Sequence, residues 1–320
     1  LRALTVSALL RTHLSGTNKE IDMTGTRSRI GALALGVLAG CSSGGDDGGT
    51  GTISLHIMDA PVYDATQVWV TFTGVSLKPQ GSGAAIRIDF PAPVQLDLLS
   101  LNADNAETLL ADHPVPAGQY NWLELHVSAE HDGTMDSYAV LQNGGVEEIE
   151  IEVPSGSVRL VSGLTITADQ ETSFLIDWNL HKGLNDPIGQ PGLFLRPALR
   201  VIDMTEFGTL TGTVAMPLVT AASCANDLNL DIGNSVYVYE GAGVTPDDFD
   251  ANAPEPIATT AVTQNQAGEY VYETLLSPGT YTVAFTCQAM SDMPDTSEDI
   301  AFVQPTDAII VDGQTLTVSF

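Results

Sequence analysis

Positive charge is what this 320-residue chain has least of: 11 lysines and arginines stand against 40 aspartates and glutamates, for a net charge of −29. Arg2, Arg11, Lys19, Arg27 and Arg29 precede Cys41, whereas only two acids, Glu20 and Asp22, do so. Beyond Cys41 the cations are Lys78, Arg87, Arg159, Lys182, Arg196 and Arg200, and after Arg200 there is none. Nucleic-acid affinity comes largely from Lys and Arg neutralising phosphates, so the balance excludes a nucleic-acid partner. A field of this sign suits divalent cations, cationic partners or simple solubility in salt.

Long apolar runs are also missing. The stretch from Ile30 to Ala39 is the apolar part of "MTGTRSRIGALALGVLAGC", and a membrane-spanning helix needs ~20 such residues. A basic start at Arg27 and Arg29, a short apolar segment and small residues at its end make a secretory signal instead. Leu38-Ala39-Gly40-Cys41 resembles the bacterial lipobox. The resemblance implies cleavage before Cys41 and lipidation of that cysteine, with Ser42 directing the protein to the outer membrane, on a side left open. Several acyl chains on one residue meet the requirement for stable anchoring. Residues 1–22 are a surplus upstream extension if translation starts at Met23, 23–40 are the signal peptide, and 41–51 a Gly/Ser/Asp tether.

Cysteine is scarce, at three. With Cys41 taken by lipid, Cys224 and Cys287 remain in an oxidising compartment, where a disulfide is the expected state. In "TYTVAFTC" the residues Tyr281, Val283, Phe285 and Cys287 share one strand face, which places Cys287 towards a core. The remaining length suits two domains, and the loss of cations after Arg200 places their boundary near 205–207, giving 52–204 and 207–320.

Alternation of period two dominates both halves. "ISLHIM", "QVWVTFT", "NWLELHV", "SFLIDWNL" and "LFLRPALRVI" read as strands in the first half. "VEEIEIEV" turns Ile149, Ile151 and Val153 one way and Glu148, Glu150 and Glu152 the other. "DNAETLLADH" reads as a short helix with Asp104 as N-cap. The second half offers "TLTGTVA", "SVYVYE", "ATTAVT", "EYVYETLL", "TYTVAFTC", "AIIVD" and "TLTVSF". The expected fold is all-β, two antiparallel sandwiches with one wet face per strand. "VPAGQYNWLELHV" and "LSPGTYTVAFTC" share a Pro/Gly turn, a Tyr and an alternating strand.

"LHIMDAPVYDATQVWVTFTGVSL", "LDLL", "PAGQY", "VPSG", "IDWNLHKGL" and "LFLRPALRVID" occur in the order seen in the bacterial domain-of-unknown-function family 4382, which residues ~52–203 resemble. Trp178, Asn179 and His181 depart from it. The resemblance implies an exported, β-rich, often lipid-anchored domain and no activity. Residues 207–320 resemble, more loosely, transthyretin-like modules found beside carboxypeptidases, which implies structure or contact.

Catalytic motifs are lacking: no Gly-x-Ser-x-Gly, phosphate-binding loop, dinucleotide pattern or His-Glu-x-x-His is present. The sequence therefore reads as a non-catalytic binding or scaffold protein of the envelope, with an envelope protein or glycan as partner. One alternative is a calcium-stabilised glycan-binding or adhesin-type module, and another is an envelope hydrolase with an unrecognised site. No catalytic residue is assigned.

Calcium takes six to eight oxygens, and two places offer them. Asp59 and Asp64 flank the Pro-stopped end of a strand, where Asp59 equally suits capping of its own turn. Asp247, Asp248 and Asp250 lie in "TPDDFDAN", which is no EF-hand, since Ala253 and Thr259 stand where Gly and Glu belong. His126, His131 and Asp132 have loose zinc spacing but read as exposed. Asp177, Lys182, Arg196 and Arg200 read as an ion-pair cluster tying the closing strands, or as an anion site. Trp69, Trp122 and Trp178 could stack on sugars.

Overall fold

The computed structural model describes residues 49–320 apart from 61–64, 103–104, 142–146, 162, 187–191, 225–232, 251 and 294–295. Cys41, Asp64, Asp104, the leader and signal segments and most of the tether lie outside the described residues. Gly48–Phe320 form one compact unit.

The first half contributes β1 (Thr50–Ala60), β2 (Ala65–Pro79), β3 (Ile86–Asp97), β4 (Glu107–Pro116), β5 (Gly118–Ser128), β6 (Tyr138–Leu141) and β7 (Glu147–Glu152). There follow β8 (Ser157–Leu160), β9 (Leu164–Ile166), β10 (Glu171–Asn179), the single-turn helix α1 (Leu180–Gly183), β11 (Leu184–Asn185), β12 (Leu193–Leu195) and β13 (Leu199–Asp203). One sheet has the order β13-β10-β1-β4. The other runs β11-β12-β7-β6-β2-β5-β8, with β3 also on β2 and β9 also on β5. Ile53, Leu55 and Ile57 from the first sheet meet Val70, Phe72, Leu123 and Leu125 from the second in one core. Each such side chain, fully buried, contributes about 1.5–3 kcal/mol.

After a turn at 204–207 the second half adds β14 (Gly208–Val214), the helical turn α2 (Met216–Val219), β15 (Ser235–Glu240), β16 (Ala258–Ala261) and β17 (Thr263–Gln264). β18 (Tyr270–Leu276), β19 (Gly279–Thr286), β20 (Val303–Ile310) and β21 (Thr315–Thr317) complete it. The sheets β17-β18-β14-β21 and β16-β15-β19-β20 enclose Leu210, Tyr272, Val236, Val238, Val283 and Phe285. The chain is all-β with sandwich packing.

Several expectations change. "DNAETLLADH" is not a helix: from Glu107 it is β4, paired antiparallel with β1. Sheet pairing and burial of Leu109 and Val115 override the local helix preference of Glu, Leu and Ala. The strand also begins the fold earlier than the tether allowed, because Thr50 and Gly51 pair with Pro116 and Val115. "LFLRPALRVI" is two strands, β12 and β13, interrupted around Pro197, whose missing N–H cannot continue a ladder. Among the described residues three pairs run parallel rather than antiparallel: β1 with β10, β7 with β12, and β14 with β21. Parallel neighbours need a long crossover, and between β1 and β10 most of the larger sheet supplies it.

The one-wet-face rule fails in several described strands: β10 from Phe174 to Trp178 and β19 from Tyr281 to Thr286 are buried on both faces. Glu150 in β7 is buried, where it accepts from the Gly133 N–H at 2.7 Å and lies 2.9 Å from His131 Nδ1. In β15 both faces are buried, since Tyr237 and Tyr239 pack under Phe249, Ala289, Val244 and Phe302.

The Pro/Gly–Tyr repeat has a common physical basis. Tyr120 Oη donates to the Pro116 carbonyl at 2.6 Å, and Tyr281 Oη to the Ser277 carbonyl at 2.9 Å, each four residues upstream. Burial pushes both phenols up. Such a corner fixes how the chain enters the following strand.

Cys224 and Cys287 are joined, and both sit in the second core. Two stability predictions follow from these bonds. Tyr120→Phe and Tyr281→Phe each lose about 1 kcal/mol in urea unfolding, with the secondary structure unchanged by circular dichroism. The bridge spans a separation of 63 residues, so Cys224→Ser with Cys287→Ser lowers stability by ~4 kcal/mol through loop-closure entropy, read in the same titration.

Candidate functional site

Two places gather polar chemistry in the described residues. The first lies over the outer face of β15. After β15 the described residues 241–250 and 252–257 cross this face, and after β19 residues 287–293 and 296–302 return over it. Phe249 anchors the first loop, with its ring 5.6 Å from that of Tyr237, and Phe302 anchors the second, 5.2 Å from Tyr237. Between these anchors Asp248, Asp292 and Glu298 come together, with one ligand oxygen of each within 4.8 Å of the others.

Asp248 and Asp292 are each only 1% exposed. Asp292 accepts from Tyr237 Oη at 2.6 Å and from the Phe249 N–H at 3.0 Å. Burial pushes its carboxyl up to about 6, the two hydrogen bonds pull against that, and the charges of Asp248 and Glu298 push it further. Asp248 Oδ2 accepts the Glu298 N–H, while its Oδ1 is buried with no hydrogen-bond partner. Glu298 accepts from the Met293 N–H at 3.0 Å and from the Thr296 hydroxyl. Among the described residues no Lys or Arg pairs with any of the three.

Of the sequence candidates, only Asp248 belongs to this group. Asp247 accepts from the Asp248 N–H at 3.2 Å, and burial and its acidic neighbour push its carboxyl up. Asp250 faces solvent in a turn closed by Asn252, whose side chain and N–H hold its carboxyl below the usual range. Asp59 lies apart, and it caps a different segment from the expected one. Its Oδ1 accepts from the Leu180 N–H at 3.3 Å, at the start of α1. Asp292 and Glu298 were missed because "SDMPDTSED" has no ligand spacing with "TPDDFDAN"; only the crossing of two loops over one strand joins them. The buried Tyr237 and Tyr239, in a strand read as half wet, were the available signal.

The second place is a cleft of about 500 Å³ at the junction of the sandwiches. Asp59 and Asp177 line it from the first, and Thr211, Thr259, Thr260 and Glu273 from the second. Beside it Met58, Leu175 and Ile202 pack on Leu275. Arg200 bonds Asp177 at 2.6 Å, the Leu275 carbonyl at 2.8 Å and the Thr274 hydroxyl at 3.2 Å. Lys182 pairs with Glu255 and lies over the Phe249 ring at 5.2 Å. The cations read as tying the closing strands of the first half thus also clamp it to the second. Lys182 and Arg200, two of the three cations of the anion-site reading, are thus each paired with an acid. Asp177 Oδ1 remains buried without a hydrogen-bond partner.

The histidines do not make a zinc site. His131 faces Glu150, Asp132 accepts from the Thr134 N–H at 2.9 Å, and His126 lies 2.7 Å from Ser76 Oγ through Nε2. That Ser–His contact is no catalytic pair. Arg87 lies 3.1 Å from His126 Nδ1, and a guanidinium only donates, so Nδ1 accepts and Nε2 carries the proton. A protonated Nε2 cannot take the serine proton. Burial and Arg87 hold the ring below the usual histidine range. Of the three tryptophans, Trp69 and Trp122 stay half-exposed. Trp178 is fully buried, Trp122 is covered by Arg159 at 4.2 Å, and Trp69 stacks with Tyr138 at 6.3 Å.

No curated protein matches the sequence. Among solved structures, the Bacillus anthracis TIE protein is 11% identical over 85% of this chain and 34% of its own, at a TM-score of 0.20. A leucine-rich repeat protein from Bacteroides thetaiotaomicron is 13% identical over 85% of this chain and 26% of its own, at 0.22. This chain thus spans about a third or less of either. The shaft pilin SpaA of Lactobacillus rhamnosus is 11% identical over 83% and 96%, at 0.16. Scores this low carry no inference about fold or role. The sequence comparison is more informative for the first sandwich: residues 50–197 match the family described as "Domain of unknown function (DUF4382)".

Proposed function

We propose that this is a lipid-anchored protein of the outer membrane with a non-catalytic binding role, and that its ligand enters the junction cleft. The observation that carries the reading is the cleft itself. Its walls come from both sandwiches, the Arg200 clamp fixes them, and it presents threonine hydroxyls beside carboxylates. Thr211 and Thr260 donate their hydroxyl protons to the Tyr272 and Glu273 carbonyls, so their oxygens, like the carboxylates, offer lone pairs to a ligand. The set therefore suits a ligand bearing hydroxyl and ammonium groups, such as an amino sugar, and the negative field of the chain draws such a ligand in.

The anchor and the cleft are tested separately. Cys41→Ala abolishes incorporation of labelled palmitate and moves the protein from the membrane to the soluble fraction; labelling that persists overturns the anchor. Isothermal titration of glucosamine oligosaccharides gives saturable binding that cello-oligosaccharides do not match. Thr263→Trp, at an exposed position on the cleft lining, weakens that binding at least tenfold without lowering the melting temperature. No heat from glucosamine oligosaccharides, or unchanged affinity in Thr263→Trp, removes the cleft as the ligand site.

A further inference from the structure

The acidic group over β15 is separate from the junction cleft and raises a question of charge. Three carboxylates share a space narrower than 5 Å, two of them are almost wholly buried, and residues 201–320 contain no Lys or Arg. Burying uncompensated anions is costly unless they are paired or coordinate a metal. Asp248 Oδ1 is the informative atom, since it is buried with no hydrogen-bond partner while every neighbouring carboxylate oxygen with a defined bond is turned to a main-chain N–H or a hydroxyl.

We propose that Asp248, Asp292 and Glu298 form a calcium site that ties the residues around Asp248 and Phe249 to those around Asp292 and Glu298 over β15. The donors are all hard oxygens, which excludes a preference for zinc or copper. Oxygens bound to one calcium at 2.3–2.6 Å lie at most about 5 Å apart, which matches the spread of the three carboxylates. Magnesium demands near-ideal octahedral geometry at about 2.0–2.1 Å and keeps its own waters, so a set drawn from two crossing loops suits calcium better. Water completes the six to eight positions. The ion holds more than its ligands: Asp292 accepts the Phe249 N–H, and the Phe249 ring packs 5.8 Å from that of His181 in α1. Calcium thereby fixes the loop that touches the first sandwich.

The test uses the full-length chain in detergent, freed of metal with chelator and then titrated with calcium or magnesium. Calcium at a hundredfold excess over its dissociation constant raises the folded-to-unfolded ratio about a hundredfold, seen as a saturable rise in melting temperature. Magnesium gives a smaller rise. Terbium luminescence sensitised by the adjoining Tyr237 saturates and is displaced by calcium, and amide exchange slows at Phe249 and Glu298. Asp248→Asn, which preserves shape, abolishes the calcium response and the luminescence, whereas Asp250→Asn, in the exposed turn, keeps both. No response in the native chain, a response retained in Asp248→Asn, or a magnesium rise equal to that of calcium each overturns the proposal.

Discussion

A sandwich built without lysine or arginine must settle its buried acids by other means, and this constraint organises the second half of the molecule. Where an acid can reach the first sandwich it borrows a cation, as Glu255 does from Lys182. Arg200 extends the same logic to neutral acceptors, spending two of its donors on Leu275 and Thr274 while its remaining bond neutralises Asp177. A guanidinium suits this work because its donors form a rigid planar fork. The interface is therefore directional: positive charge comes from the first sandwich, and carboxylates, carbonyls and hydroxyls receive it from the second. Over β15 the borrowed cation, Lys182, goes to Glu255 and the Phe249 ring and not to the three clustered acids, and Asp292 rests on Tyr237 and the Phe249 amide instead. That arrangement leaves Asp248 half satisfied.

Legibility in the sequence followed the locality of the forces. Alternation placed most strands correctly because each needs only its own facing sheet to make sense of its pattern. The shared Tyr corners were visible for the same reason, since donor and acceptor lie four residues apart. The disulfide followed from the small number of cysteines and the expectation of an oxidising compartment. What failed was whatever a distant segment decides. Glu107 to Pro116 has the composition of a helix but lies beside β1, and a ladder along an open edge outweighs propensity. Glu150 alternates with isoleucines as a wet residue would, yet Gly133 and His131 close over it.

The acidic site shows the same division more sharply. Asp247, Asp248 and Asp250 were candidates because they are adjacent, and adjacency in a loop mostly produces turns: Asp250 is consumed by Asn252, and Asp247 by its own neighbour. The two residues that complete the group with Asp248 lie far along the chain. Antiparallel pairing of β15 with β19, from Ser235 opposite Thr286 to Glu240 opposite Tyr281, explains why. The loop that follows β15 leaves from one end of the pair and the loop that follows β19 from the other. Both must cross the same outer face, and the tyrosines on that face give them something apolar to hold.

The acidic site and the cleft meet the first sandwich through neighbouring contacts. Asn179, the cap of α1, donates to Thr259 at 3.2 Å on the wall of the cleft, and two residues later His181 packs on Phe249. Burial lowers His181 to about 4, so its ring stays neutral across physiological pH and contributes packing and a hydrogen bond to the Asp292 main chain rather than charge. A ligand in either place shifts the other only by its differential affinity for two arrangements of this contact. The apolar junction of Met58, Leu175, Ile202 and Leu275 and the Arg200 clamp both resist sliding of one sandwich on the other. The residues around Phe249 and Glu255 are held to the first sandwich by a different set of bonds, the His181 and Lys182 contacts with Phe249 and the Lys182–Glu255 pair.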